Sequence, residues 1–277
     1  MIKLTKKMIN QYLVPYLSIG KRAPSCKVGL WRIVRAILRR LKTGVQWREL
    51  PMIELFSRHV ISWKSVYYYF SKWSKDNSWY NMWTALLELN KKILDMSSVQ
   101  LDGSHTPAKR GGEYTAYQGR KKCKTTNMLF LTDKNGIALA CCEPISGNHN
   151  DLFDIKKSVS KIVGTLKDAN IDHKGLFMNA DAGFDSKELR QFCFSFAIIP
   201  NFDLNKRNNK HHDQYDYCFD NQLYKERFVV ERTNAWLDGF KNLIIRYETK
   251  ANHWLALHYL AFSVILLRKV EKVSRKL

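Results

Sequence analysis

Two apolar runs, VQL before Asp102 and LFMNA before Asp181, each stop at an aspartate with a glycine close behind (LDGSH and NADAGF). Such runs predict short buried strands. A carboxylate at a strand's carboxyl end sits where open α/β sheets place their sites. Between them, the segments NMLFLTD and IALACC flank Asp133-Lys134-Asn135-Gly136, a hairpin signal with Asn-Gly at its heart. A helical pattern over 151–169, the helix SKELRQFCF and the strand FAIIPNF complete an alternation that predicts an α/β domain with a mixed sheet. GNHND (147–151) reads as a turn and the polar stretch 203–222 as an exposed loop.

The stretch before Ser97 has a different texture. In GLWRIVRAILRRLKTG, Leu30, Val34, Ile37, Leu38 and Leu41 follow a helix stripe, and Thr43-Gly44 ends it. Arg32, Arg35 and Arg39 share another face. A second helix covers SWKSVYYYFSKWSKD, with Val66, Tyr69, Phe70 and Trp73 inward. Charge matters here. The chain carries 46 Lys and Arg against 25 Asp and Glu, a net +21, and residues 1–98 hold 18 of the basic and 5 of the acidic groups. That excess points to a polyanion, nucleic acid first, and these helices resemble a helix-turn-helix-type DNA reader. A bundle whose Lys and Arg are merely solvated is the other reading.

Composition also excludes classes. The six cysteines form no CxxC pair, which argues against zinc and a disulfide framework. WLALHYLAFSVILL (254–267) is short for a membrane span and predicts a buried helix. The N-terminus has neither the apolar core nor the cleavage site of a signal peptide.

In YKERFVVERTNAWLDGF (224–240), one continuous helix would put Tyr224, Arg227, Glu231, Asn234, Asp238 and Lys241 on one side, with Val229, Trp236 and Phe240 opposite. A plain surface helix fits the same pattern. Two aspartates and a glutamate from separate elements suit Mg²⁺, which prefers oxygen ligands, and two such ions can serve phosphoryl transfer. Tyr224 and Arg227 are placed to hold a phosphate or order Glu231. The basic groups Lys109, Arg110, Arg120, Lys121, Lys122 and Lys124 either hold phosphates beside Asp102 or line a solvated hairpin. His105 reads as a hydrogen-bonded loop residue. The cluster His211-His212-Asp213 has no partner motif for a metal.

With these residues in view, LDGSHTPAKRGG, YQGRKKCKTTNMLFLTD, NADAGFDS and YKERFVVERTNAWLDGFKNLIIRYE resemble bacterial insertion-sequence transposases of the DDE superfamily, in the group named for insertion sequence five. AILRRLKTGVQWRELP and SVYYYFSKWSKDNSW resemble that group's N-terminal module, so the likeness runs from about residue 28 to 268. It implies an RNase H-like mixed-sheet catalytic core (97–270) preceded by a small all-helical DNA-binding region (1–96). It implies metal-dependent cleavage and strand transfer at terminal inverted repeats, with Asp102, Asp181 and Glu231 as catalytic metal ligands. Asp185 is the rival to Asp181. The expected cofactor is a pair of Mg²⁺ ions, with Mn²⁺ able to substitute. The expected partner is double-stranded DNA, bound by a homodimer at the nucleoid in the bacterial cytoplasm, with no membrane. Tyr224, Arg227 and Glu231 match the signature around the family's glutamate. Asp238 departs from it where a basic residue is expected, which shifts that DNA contact to Lys241. A DNA-binding descendant with lapsed chemistry and a non-transposing nuclease are the rival readings.

Overall fold

The computed structural model describes residues 4–20, 28–57, 61–205 and 219–274. Cys26, Cys218 and the cluster His211-His212-Asp213 lie outside these. The chain divides into two compact units, one of residues 1–86, 107–113 and 237–277, the other of 87–106 and 114–236.

The first unit is helical. Helix α1 (Lys6–Tyr12) is followed by α2 (Leu30–Thr43), which ends where the sequence predicts, at Gly44 in a left-handed cap (φ 69°). Its buried face is Ile33, Val34, Ala36, Ile37, Leu38, Arg40 and Leu41, which keeps four of the five expected stripe residues, leaves Leu30 only part-buried and adds one charged intruder. Helices α3 (Met52–Phe56), α4 (Trp63–Lys75) and α5 (Ser78–Leu89) follow. Helix α4 buries Val66, Phe70 and Trp73, as its spacing predicts, while Tyr69 of the same expected stripe is only part-buried. The long C-terminal helix, α11 (Ala251–Ser274), buries every residue from Trp254 to Leu267. A helix apolar all round belongs in a core, and contacts such as Trp83 against Phe262 (5.5 Å) place it among these helices. Among the described residues no helix is long and apolar enough to cross a membrane.

The second unit is built on one mixed sheet. Its strands are β1 (Val99–Pro107), β2 (Ala116–Gln118), β3 (Cys123–Asp133), β4 (Ala138–Cys141), β5 (Ile145–Ser146), β6 (Phe177–Ala180) and β7 (Ile199–Phe202). The order is β2-β3-β1-β6-β7, with β4 and β5 also paired to β3. Strand β6 is parallel to β1 and β7, while β2, β4 and β5 are antiparallel to β3. The order β4-β3-β1-β6-β7, an antiparallel hairpin extended by parallel strands, is the mixed sheet of the α/β class expected from the sequence. Helix α6 (Ile155–Asp168) precedes β6, and α7 (Lys187–Ser195) links it to β7.

Two local expectations are corrected. Strand β1 does not end at Asp102 but runs on to Pro107, so Asp102 is held by sheet on both sides. The polar tail GSHTP escapes an apolarity criterion because that half of the strand is only part-buried. The stretch 224–240 is also not one helix. It comprises α8 (Asn221–Lys225), a 3₁₀ turn (Glu226–Phe228) and α9 (Val229–Asp238). Three residues wound at 120° rather than 100° advance the helix phase by about 60°. The buried stripe is Val230, Thr233 and Leu237, with Phe240 beyond; Thr233 and Phe240 are buried as expected, whereas Val229 and Trp236 are only part-buried.

A polar ladder fixes the start of this segment. Asn201 Nδ2 donates to Asn179 Oδ1 (2.7 Å), and Asn179 Nδ2 donates to Gln100 Oε1 (2.8 Å) and the Leu223 carbonyl (2.9 Å). Gln100 Nε2 donates to Ser98 Oγ (3.0 Å), whose hydroxyl donates to Glu226 (2.8 Å). Glu226 also pairs with Lys134 at 3.0 Å. Satisfied in this way, buried amides cost little and specify register.

Candidate active site

Asp102 comes from the middle of β1, part-buried. Asp181 follows β6 directly, exposed, and caps a short 3₁₀ turn by accepting from the Gly183 N–H at 2.8 Å. Glu231 lies exposed in the first turn of α9. The Asp102 carboxyl is pushed up to about 6, chiefly by burial, with a bond from the Gly103 N–H opposing the rise and the negative charges of Asp151, Asp181 and Glu231 adding to it. The three expected residues belong to one unit.

Asp151 is the residue sequence reasoning missed. It sits just before α6, at the end of the GNHND turn, and its carboxylate fills the space beside Gly103. A Cβ on Gly103 would lie 2.2 Å from Asp151 Oδ1. Asn127, fully buried on β3, donates from Nδ2 to that oxygen at 2.6 Å. Gly147, at the start of the turn, lies so close to β3 that a Cβ would fall 2.0 Å from Thr125 Oγ1. A glycine that lets the loop press on the strand and an aspartate four residues on were the available signals.

Asp185, the rival to Asp181, is buried and engaged. Arg190 Nε donates to its Oδ1 at 2.8 Å, and the Asn205 N–H to its Oδ2 at 2.9 Å. His105 lies on β1 rather than in a loop, its Nδ1 3.3 Å from Thr125 Oγ1. Burial lowers its pKa, Asp151 opposes that, and Lys121 and Arg120 reinforce it. The basic tip between β2 and β3, with Arg120, Lys121 and Lys122 exposed and Lys124 just inside β3, thus adjoins the Asp151 side of the cluster.

Arg227 stacks on Tyr224 (5.1 Å) and Phe228 (4.4 Å), and its Nε is buried without an acceptor. Burial raises the Tyr224 pKa, Arg227 opposes it, and Asp203 and Asp181 add to it, so this pair borders the carboxylates. Helix α9 is docked by its other side. Thr233 Oγ1 donates to the Gly136 carbonyl at 2.6 Å, anchoring the helix to the Asn135-Gly136 turn.

In the helical unit, Arg35 and Arg39 line one groove of about 390 Å³ together with Lys42 and Lys241. Lys241 opens a separate short helix, α10 (Lys241–Ile244), so it is not the next turn of the helix that ends at Asp238. Arg32 is apart from the groove, its Nη1 3.5 Å from the Phe56 carbonyl and its guanidinium over Trp31. Lys109 and Arg110 are exposed and belong to this unit rather than to that of Asp102.

The donor set is all carboxylate, the chemistry of a hard divalent cation. The charges acting on Asp102 are like charges, which favour its neutral form. Among the described residues no three acidic, His or Cys side chains stand close enough together to grip an ion.

A family profile described as DDE superfamily endonuclease matches residues 98–267, and a second, for transposases of the IS4/5 family, matches 8–83. A Burkholderia cepacia protein named as a transposase for insertion sequence element IS402 is 32% identical over 126 residues, 44% of this chain and 54% of the relative. The match thus spans about half the length of that relative. A piggyBac transposase in a synaptic complex with hairpin DNA superposes over 99% of this chain and 75% of its own, at 8% identity and TM-score 0.50, a likeness of fold. A Mos1 transpososome before cleavage covers 90% of this chain and 80% of its own, at 12% identity and TM-score 0.30.

Proposed function

This chain belongs to the DDE endonuclease superfamily, and on that premise we propose that it is a DNA transposase. In this reading it binds the terminal inverted repeats of an insertion sequence, cuts them and joins them to target DNA. What supports the reading is the family match over residues 98–267, together with the placement of Asp102 on β1, Asp181 directly after β6 and Glu231 in the first turn of α9.

The expected pair of Mg²⁺ ions, with Mn²⁺ able to substitute, suits this donor set. Bound there, divalent ions supply Lewis acidity that lowers the pKa of an attacking hydroxyl and neutralises a leaving oxygen. The protein's share is positioning. Asp102 is the fixed carboxylate, held within a strand. Asp181 is held by its own capping bond. Glu231 stands exposed on a helix whose other side is pinned at Thr233. Arg227, with a buried N–H awaiting an acceptor beside Tyr224, is suited to hold a substrate phosphate. The basic tip at Arg120, Lys121, Lys122 and Lys124 holds the duplex backbone on the Asp151 side.

We assign residues 1–96 to DNA binding and 97–270 to catalysis. Arg35, Arg39 and Lys241 form one backbone-contacting groove, with Arg32, Lys109 and Arg110 as further contacts. A homodimer pairs the two ends, and the site of action is bacterial DNA in the cytoplasm. The test is a plasmid carrying the element's ends, incubated with protein and Mg²⁺. Cleavage at the repeats leaving 3′-hydroxyls, abolished by EDTA, is the expected result. Cutting with no preference for the repeats would make the protein a general nuclease and refute the transposase reading.

A further inference from the structure

Helix α2 buries an arginine in its apolar face, and nothing in the chemistry above uses it. Arg40 is 5% exposed. Its Nη2 bonds Glu248 at 2.7 Å, and Trp47 covers the guanidinium at 4.3 Å from the ring centroid. Its Nε and Nη1 are both buried without an acceptor, and so is Asn242 Nδ2. Leaving such a donor unpaired is costly, and more so where the group is charged, so three of them on two residues call for a ligand.

All three belong to residues lining one cleft of about 730 Å³ within the helical unit. Its rim adds Arg48, Arg110 and Lys250, all exposed, while Glu248 is its single carboxylate. Trp47, Trp63, Tyr67 and Tyr247 form an aromatic wall. Buried donors and a basic rim select an oxyanion. The aromatic wall and a volume well beyond that of one phosphate select a nucleotide.

We propose that this cleft is a nucleotide-binding site. It takes one backbone phosphate of bound DNA on Arg40 and Asn242, with the adjoining sugar and base against the aromatic wall. The site rests on the reading that DNA is the substrate, and it is distinct from the carboxylate cluster and from the groove of Arg35 and Arg39.

The test is fluorescence anisotropy with a labelled duplex of the element end across a salt series, on the full chain. The parent is compared with Arg48→Ala/Lys250→Ala and with Asn242→Asp. The double variant changes only exposed groups, so it reports on binding even if Asn242→Asp folds poorly. Asn242→Asp sets a carboxylate against the phosphate and is expected to weaken binding by about tenfold or more. The double variant is expected to weaken it and to lower the log–log salt slope by about 1–2. A parent that binds, with both variants matching its affinity and slope, would overturn the cleft and leave DNA as substrate. A parent that binds no DNA would overturn both. Inorganic phosphate, followed by tryptophan fluorescence, separates the sources. If it binds in the cleft while the variants keep parental DNA affinity, the ligand is free phosphate and the DNA assignment falls.

Discussion

Replacing Thr233 with valine should loosen the helix that carries Glu231 without touching the carboxylates. Thr233 is fully buried two residues beyond Glu231, and its hydroxyl donates to the Gly136 carbonyl at 2.6 Å. That carbonyl cannot move away to find water. Asp133 Oδ1 accepts from the Asn135 and Ile137 N–H groups at 2.9 and 2.7 Å, and Gly136 holds φ at 76°. Valine keeps the shape and leaves the carbonyl unpaired, at a cost of about 1–3 kcal/mol. Hydrogen exchange monitored by mass spectrometry reads the effect locally, which suits a chain of two units better than a single unfolding midpoint. At RT of about 0.6 kcal/mol, amides of α9 should exchange about 5- to 150-fold faster. Thr233→Ser keeps the hydroxyl and loses one methyl, worth about 0.8 kcal/mol, so it should stay within about fourfold of the parent. Metal-dependent cleavage should fall more in the valine variant than in the serine one. Equal exchange in valine variant and parent would refute the idea that this bond docks the helix.

Three further perturbations address other parts of the account. Gly103→Ala puts a Cβ 2.2 Å from Asp151 Oδ1; displacing that carboxylate should cut cleavage by about 10- to 100-fold with DNA affinity unchanged, and parental cleavage would remove Asp151 from the site. Asp185→Ala removes a buried carboxylate from a part-buried arginine that keeps its bonds to the Pro200 and Phe202 carbonyls, and should cost about 1–3 kcal/mol in chemical denaturation, whereas Asp181→Ala, at an exposed position, should cost far less; the reverse order would reopen the choice between them. His258, wholly buried, donates from Nδ1 to the Trp254 carbonyl, and burial depresses its pKa to about 4. The unfolded chain takes up that proton near pH 6.5, so the stability His258 confers is complete above 6.5 and lost as pH falls towards 4, by about 3 kcal/mol. His258→Gln should flatten that limb of the stability–pH curve, and an unchanged slope would show that another group drives it.

Much of this was legible because the deciding physics is local. The cap at Gly44, the Asp133–Gly136 turn and the apolar run of α11 are each set by a few neighbouring residues, and the sequence displays them directly. Asp102, Asp181 and Glu231 could be picked out because each stands in a recognisable local context. What failed was non-local. Asp151 joins the cluster only because Gly103 leaves room and Asn127 holds it, contacts that join three separate elements. The 3₁₀ turn at Glu226–Phe228 goes with anchoring of Glu226 by Ser98 and Lys134, so a helical wheel drawn through it rotated the buried face. The burial of Arg40 was not legible, since neither Glu248 nor Trp47 can be identified as its partner from its neighbours in the chain.

The central claim is that Asp102, Asp181 and Glu231 form one metal-dependent centre. Its most direct test measures cleavage of end DNA in Mg²⁺ and binding of the same DNA for Asp102→Asn, Asp181→Asn and Glu231→Gln. Each isosteric change removes a charge and leaves the fold in place, so every variant should bind the end as the parent does and cut none of it. Cleavage at the parental rate by Glu231→Gln would contradict the account.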